Sequence, residues 1–463
     1  MDIGLAGGIA HGTTHRRRRM AIVSTFDDLC GIAGYTRRLV PQLEPWYDVE
    51  VLDLDQFLMR SPHRAIQRLA EKQINEFAAR LKGFDCVNIQ LEHGTLGRTT
   101  KQIIRRFQKL TKAAPELSVT FHTVMIGEPI QWADSLGILF KQGVGALYGH
   151  ISANSRQHAL SHPIYRDLRK LSRGKPVHTI VHNRRDMRLL THVHRLPNVH
   201  HHPLAFLSQE ASEEIRSRTT RASFPGLAAI PPDAKLVGTF GFLSPYKGFE
   251  TVIQALKYLP DDYHVLIFGG IHPQTIKKGI KIDEYIGALL KEANIGLTVL
   301  DQMAEKKQTG VSVALDVSKD LEVLMRHPHD LSSRIHFMGA LNDDEFAGAM
   351  AVCDMVVMPY LEVGQSSSGP ISVALNMGCR VIASRTSTFS QFSRYYPDAI
   401  EFFDIGNYIE LAQRIASDPP SDPRARELTY NTETNAEMYR LANSGLRRMA
   451  VQGEPRVAVT VAA

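Results

Sequence analysis

The residues of this chain best placed to do chemistry are the run Gln365-Ser366-Ser367-Ser368-Gly369 and a lysine far upstream, Lys247. The run follows a strand-like apolar stretch over 355–358 and a turn at Pro359. It precedes a helix carrying Ile371, Val373, Ala374 and Leu375, a stop at Gly378, and a second buried strand over 380–383. Strand, small-residue loop and helix start are how α/β proteins make a pocket for phosphate. The first N–H groups of a helix lack intrahelical partners, and the helix dipole adds positive potential there. A diphosphate could therefore sit on Ser366, Ser367, Ser368 and Gly369, although an ordinary strand-to-helix turn uses similar residues.

Two more small-residue loops follow strand-like runs. One is Gly241-Phe-Leu-Ser-Pro-Tyr-Lys247-Gly248 after 235–240, and the other is Gly269-Gly270 after 264–268. If the strands are parallel, all three loops open on the same edge of one sheet. Lys247 is the one full positive charge in them. A lysine beside a helix start suits a leaving diphosphate, whose charge grows as its bond breaks.

The elements that must position these groups alternate between strand and helix along the whole chain. Strand patterns fall at 20–24, 49–52, 86–90, 118–122 and 178–181, with helical stretches such as 65–81 and 99–110 between them. Such alternation implies parallel sheets with right-handed crossovers. Ser, Thr, Pro and Gly dominate 216–233, which reads as a linker, after which the alternation restarts. The expected architecture is α/β: two doubly wound, Rossmann-like domains facing a cleft. The first spans 20–215 and the second 225–418, with an insertion at 295–333. A C-terminal helix within 420–450 packs back toward the first domain. Residues 1–19 read as a disordered basic arm, in which Arg16, Arg17, Arg18 and Arg19 could touch anionic lipid.

Composition narrows the classes of function. The 463 residues exceed one hydrophobic core, and 43% hydrophobic with 22% charged residues is ordinary for a globular protein. No window reaches the ~18 uninterrupted apolar residues of a membrane span. The N-terminal residues lack a long apolar signal core, and the four cysteines have neither metal-ligand spacing nor a disulfide pattern. A cytoplasmic protein is expected, peripheral at the inner membrane face if the basic arm binds lipid. The formal charge of +6 is mild, and no basic and aromatic interleaving marks a nucleic-acid platform. His200, His201 and His202 are adjacent, so their side chains alternate in direction and make a poor metal cage. No metal and no cofactor are expected.

The loop Gly-Phe-Leu-x-x-Tyr-Lys247-Gly248 resembles the G-R-L-x-x-E-K-G motif of family 4 retaining glycosyltransferases, which have the GT-B fold. The segment 354–384 resembles that family's strand, donor loop and helix. Cys30-Gly-Ile-Ala-Gly-Tyr-Thr-Arg37 resembles its glycine-rich first loop. Ile89-Gln-Leu-Glu92-His93-Gly94 and Phe121-His122-Thr123 resemble acceptor-side motifs of a bacterial branch. The resemblance runs over most of the chain, roughly 20–439.

That resemblance implies transfer of a sugar, with retention, from a nucleotide-diphosphate sugar to a glycan or lipid-linked acceptor in bacterial polysaccharide synthesis. It implies that Lys247 and the backbone of Ser367, Ser368 and Gly369 meet the diphosphate, and that Gly31 and Gly34 let the first loop come close to it. Gly241, Gly269 and Ser366 belong to the same donor site. His122 and Gln365 fall at the reacting sugar, and Glu92 and His93 on the acceptor side. Two departures stand out. Phe242 occupies the family's arginine position, and Gln365 and Val373 occupy its paired glutamates, with Glu362 nearby in sequence. They leave open a phosphorylase or epimerase on the same fold, and a non-catalytic partner subunit. As structure alone, Glu92 could pair with Arg98 and His122 could be a satisfied core histidine. Arg184 and Arg185 could face an anionic acceptor or solvent.

Overall fold

The computed structural model describes residues 16–28, 30–125, 144–270, 284–293, 331–420 and 422–446. They form two six-stranded sheets. The first contains β1 (Arg18–Ser24), β2 (Tyr47–Asp53), β3 (Cys86–Leu91), β4 (Leu117–Phe121), β5 (Val177–Val181) and β6 (Val199–His201), in the order β2-β1-β3-β4-β5-β6. The second contains β7 (Lys235–Phe240), β8 (Tyr263–Phe268), β9 (Ile335–Gly339), β10 (Met355–Met358), β11 (Val381–Ser384) and β12 (Glu401–Phe403), in the order β12-β11-β10-β7-β8-β9. Every pairing is parallel.

Strands β3, β4, β5, β8, β10 and β11 are buried at every residue. Their near-continuous apolar sequences are what a sheet covered by helices on both faces requires. Each sheet packs one cluster of apolar side chains on each face. Strand order reverses between β1 and β3 in one sheet and between β7 and β10 in the other. The crevice beyond the strand C-termini at such a reversal is where open α/β sheets bind ligands.

Several expected boundaries shift. The arm does not extend to residue 19, because β1 begins at Arg18 and pairs with β2 from there. Arg18 forms an ion pair with Glu116 and donates to the Asn443 carbonyl at 2.5 Å. Arg19 lies 3.6 Å from Glu50, and its N–H donates to Asp85 at 2.7 Å. Two of the four arginines, both half-exposed, thus already have carboxylate partners at the start of β1. Residues 1–15, the other part of that arm, lie outside the described residues. The expected linker is folded: the helix Gln209–Arg218 runs into it, and Phe224, Leu227 and Ile230 pack in the second core. Pro225 and Gly226 between those apolar residues hid that packing. Of the expected insertion, 295–330 lies outside the described residues.

The terminal helix is shorter than expected, Thr432–Ala442, with Asn431 and Thr434 closing a capping box. It does pack on the first domain, where Ala436, Met438, Tyr439 and Ala442 join an apolar cluster with Met20, Ile22 and Leu39, and polar groups pair across the same seam. The Tyr439 hydroxyl meets Thr120 Oγ1 at 2.9 Å and accepts from Gln90 Nε2 at 3.2 Å. Ser118 donates to Asn443 Oδ1 at 2.9 Å, and Asn435 donates to Gln42 at 2.8 Å. Among the described residues, no helix is long and apolar enough to cross a membrane.

Buried hydroxyls in such a seam are costly to leave half-paired. Tyr439→Phe is expected to lower stability by about 1–2 kcal/mol, read as a drop in the urea midpoint with an unchanged slope.

Candidate active site

Three loops leave the C-terminal ends of the second sheet, and two of them touch backbone to backbone. A Cβ on Gly269 would stand 1.8 Å from the Gly241 carbonyl oxygen, so only glycine lets the β7 and β8 loops meet. Gly241 itself has φ 125°, and a Cβ there would come within 3.0 Å of Lys247 Nζ. The first loop ends in a single turn, Pro245–Lys247, followed by Gly248 at φ 64°. That glycine lies against the Pro359 carbonyl, where a Cβ would stand at 2.1 Å. The turn is thereby seated on the end of β10, and Lys247 points into the space between the loops.

Lys247 is 5% exposed. Its ammonium donates to the Tyr360 hydroxyl and stands 3.8 Å from the centre of the Tyr360 ring and 5.1 Å from that of Tyr246. Among the described residues no carboxylate lies within 4.0 Å of it. Burial pushes its pKa down to about 7. Aromatic faces soften that burial but do not replace a counter-charge.

The third loop starts the helix Gly369–Asn376, with Pro370 in its first turn. Ser368 occupies the cap position without bonding the first N–H groups. Its hydroxyl is buried and unpaired by geometry, although it lies beside the Tyr360 hydroxyl. The helix start is therefore open toward the cavity. Ser366 departs from the expectation. Its hydroxyl accepts from the Val124 N–H at 3.0 Å, and its carbonyl accepts from Asn183 at 2.8 Å. It ties the loop to the first domain and does not line the cavity. Gln365 does line it, with its side chain at the Tyr246 hydroxyl. Val373 lines it as well and offers only methyl groups. Glu362 is engaged elsewhere, accepting from the Ser387 N–H at 2.6 Å and the Gly364 N–H at 3.0 Å. Burial works against its charge, but those backbone bonds win and hold its pKa below the usual carboxylate range.

From the first domain comes a second helix start. Gly31 and Gly34 were expected in a loop, yet the helix Gly31–Leu43 begins there. Cys30 takes the cap position, and its sulfur accepts from the Ala33 N–H at 3.4 Å. A Cβ on Gly34 would stand 3.3 Å from Asp343 of the second domain. Arg37 and Arg38 follow on this helix and reach Asp343 at 2.8 Å and Asp344 at 2.5 Å. The two domains enclose a cavity of about 470 Å³. Its lining includes the polar residues Lys247, Ser367, Ser368 and Arg37, together with the apolar Phe206, Phe242, Leu341, Phe346 and Val373.

The acceptor-side residues gather at the ends of β3 and β4 and do not line this cavity. His122 was expected at the reacting sugar. It is buried, its Nε2 donates to Gln90 at 2.8 Å, and its ring packs on His182 and Tyr35 with centres 5.0 and 5.4 Å away. Burial, then the neighbouring His182, hold its pKa well below the ordinary imidazole value. Glu92 accepts from Thr123 at 2.8 Å, with no ion pair to Arg98, and burial raises its pKa. His93 is 1% exposed, has neither ring nitrogen paired, and is pushed down to about 4 by burial. Arg184 stacks over Tyr395 at 5.3 Å. The three adjacent histidines do point apart: His200 bonds His178, His201 bonds Tyr395, and His202 bonds Thr434. Among the described residues, no group of three His, Cys, Asp or Glu could hold a metal. Sequence reasoning missed Tyr246, Tyr360, Arg37 and Asp343. Arg37 closed a motif already read for its glycines, and Tyr360 directly follows β10.

No family model and no curated protein matches the chain. Solved structures do. Anabaena HepE in complex with UDP and glucose shares 14% identity, covers 93% of this chain and 100% of its own, and superposes with a TM-score of 0.54. Sucrose-phosphate synthase from Thermosynechococcus elongatus shares 15%, with 92% and 99% covered and a TM-score of 0.56. An α,α-trehalose-phosphate synthase from Burkholderia xenovorans shares 10%, with 92% and 100% covered and a TM-score of 0.52. The chain thus has the two-domain GT-B fold of these enzymes.

A lysine whose folded pKa lies near 7 and whose unfolded value is ordinary favours the folded state in its neutral form. Between about pH 7 and 10 the unfolded chain binds the extra proton, so this group makes the protein more stable as pH rises. The stability of the wild type relative to Lys247→Met is expected to rise over that range, measured by urea unfolding at several pH values.

Proposed function

We propose that this chain is a glycosyltransferase that moves a sugar from a nucleotide-diphosphate sugar to an acceptor hydroxyl. One observation carries the reading. A buried ammonium with no carboxylate partner among the described residues and two helix starts from opposite domains converge on one cavity. That is a site built for two or more negative charges, and the apolar wall beside it suits a nucleoside base. The likeness to HepE bound to UDP-glucose, and to the two synthases, supports the choice of donor class.

In this reading Lys247 and the N–H groups at Ser368 and Gly369 stabilise the diphosphate as its bond to the anomeric carbon breaks. The acceptor oxygen forms the new bond from the same face, with retention. Its proton passes to the departing phosphate oxygen. Protein donors carry the leaving-group charge, so the reaction is metal-independent. Gln365, held at the Tyr246 hydroxyl, faces the sugar. His122 does not touch the substrate; through Gln90 and Tyr35 it stiffens the floor of the cleft. The ribose is held without a carboxylate at 373. A glycan or lipid-linked acceptor enters from the ends of β3 and β4, near Glu92. The four free cysteines accord with a cytoplasmic, reducing location.

Phe242 and Val373, both apolar on the cavity wall, favour a second reading, a non-catalytic subunit that keeps the site. A panel of nucleotide-sugars assayed for turnover, with and without acceptor glycans, separates the readings. Nucleoside diphosphates should raise the unfolding temperature of the wild type. Lys247→Ala should abolish transfer and weaken diphosphate binding by roughly tenfold or more. Undiminished turnover in that variant would falsify the role given to Lys247. Binding without turnover on any donor selects the subunit reading.

A further inference from the structure

We infer that Arg37 is a second binding group for the donor diphosphate, supplied by the first domain and held in readiness by Asp343. The inference rests on the donor-site reading of the cavity. A diphosphate carries more charge than one lysine neutralises, and in the second domain no other cation lines the cavity among the described residues. Its remaining lining cations, Arg37 and Arg38, both come from the first domain. The geometry distinguishes them. Arg38 pairs with Asp344, which also faces Arg218 at 3.4 Å in a surface pair.

Arg37 is built differently. Its Nη1 donates to the Phe26 carbonyl at 2.5 Å and to the Asp28 carbonyl at 3.4 Å, both within its own domain. Its Nε donates to Asp343 at 2.8 Å, across the cleft. Two backbone oxygens therefore fix the guanidinium plane whether or not Asp343 is present. A planar fork held in this way loses little freedom when it grips a phosphate.

Asp343 is the odd member of this site. It is a carboxylate on the wall of a cavity that otherwise gathers positive potential, and it would repel a diphosphate. Its side chain is 43% exposed, so returning it to water costs little. Gly34 allows this approach, since its missing Cβ leaves the carboxylate 3.3 Å from where that atom would be. When the diphosphate enters, its oxygens replace Asp343 as the counter-charge of Arg37. Lys247 grips the same group from the other domain. The donor is thus clamped between domains, and Asp343 is the placeholder it displaces.

The test measures binding of UDP, GDP, ADP and TDP, and of the matching nucleosides, to the wild type, Arg37→Gln, Arg37→Lys and Asp343→Asn. The nucleoside diphosphate bound best by the wild type should lose roughly tenfold or more in Arg37→Gln and less in Arg37→Lys. Asp343→Asn should bind it as tightly as the wild type or more tightly. Nucleoside binding should stay unchanged in all of them. Wild-type affinity in Arg37→Gln overturns the inference and leaves the donor site standing. A loss in Asp343→Asn equal to that in Arg37→Gln also overturns it, because the pair would then merely join the domains. If Arg37→Gln does not fold, Arg37→Lys and Asp343→Asn decide by the same criteria. No nucleoside diphosphate binding to the wild type overturns both this inference and the donor-site reading.

Discussion

A buried ammonium with no carboxylate beside it among the described residues is the constraint around which the second domain is arranged. Removing a full charge from water is among the most expensive operations in a protein, and the usual response is to neutralise the group. Lys247 follows that rule, with burial bringing its pKa to about 7. The surroundings are organised to tolerate the charge without cancelling it. Two tyrosine rings and one hydroxyl face the ammonium, and glycines at 241, 248 and 269 let three backbone segments close around it. An aspartate in the place of Tyr360 would make a more comfortable ion pair and a poorer site for an anion.

The first domain solves a different problem. Its sheet carries Asn88, Gln90, Ser118 and Thr120 on the face that meets the terminal helix, all buried. Tyr439 pairs with Gln90 and Thr120 and Asn443 with Ser118, while Asn88 bonds Ser118, Thr120 and Gln90 within the sheet; the cost of leaving such groups unpaired helps to fix where that helix docks. His122 belongs to this network through Gln90. At the end of β4 it ties the edge of the cleft to the polar seam beneath it.

Much of the architecture was legible because it depends on local pattern. Apolar runs of four to six residues marked most of the strands, and the small-residue loops after 240, 268 and 363 marked the edge where the cavity lies. What failed depended on distant partners. Strands β6 and β12, of three residues each, are too short to print a period. Ser366 resembled its serine neighbours in sequence, yet Val124 and Asn183, far away in the chain, draw it out of the cavity. Glu362 looked available until Ser387 was seen to hold it. Arg37 was read as the end of a glycine motif because nothing local reveals that Asp343 stands across from it. The pockets of chemistry were visible, but the direction each side chain takes within them was not.

The return of the terminal helix to the first sheet has a mechanical consequence. The chain passes from the first domain to the second after β6 and passes back after the helix Tyr408–Ala416. Two covalent straps therefore join the domains, and together they define an axis. A single strap would permit swivelling in every direction, whereas a pair permits swinging about the line between them. The opening of the cleft then has in essence one degree of freedom. A swing about that line would bring the same faces back into register, with the helix start at Gly369 opposite the helix start at Gly31.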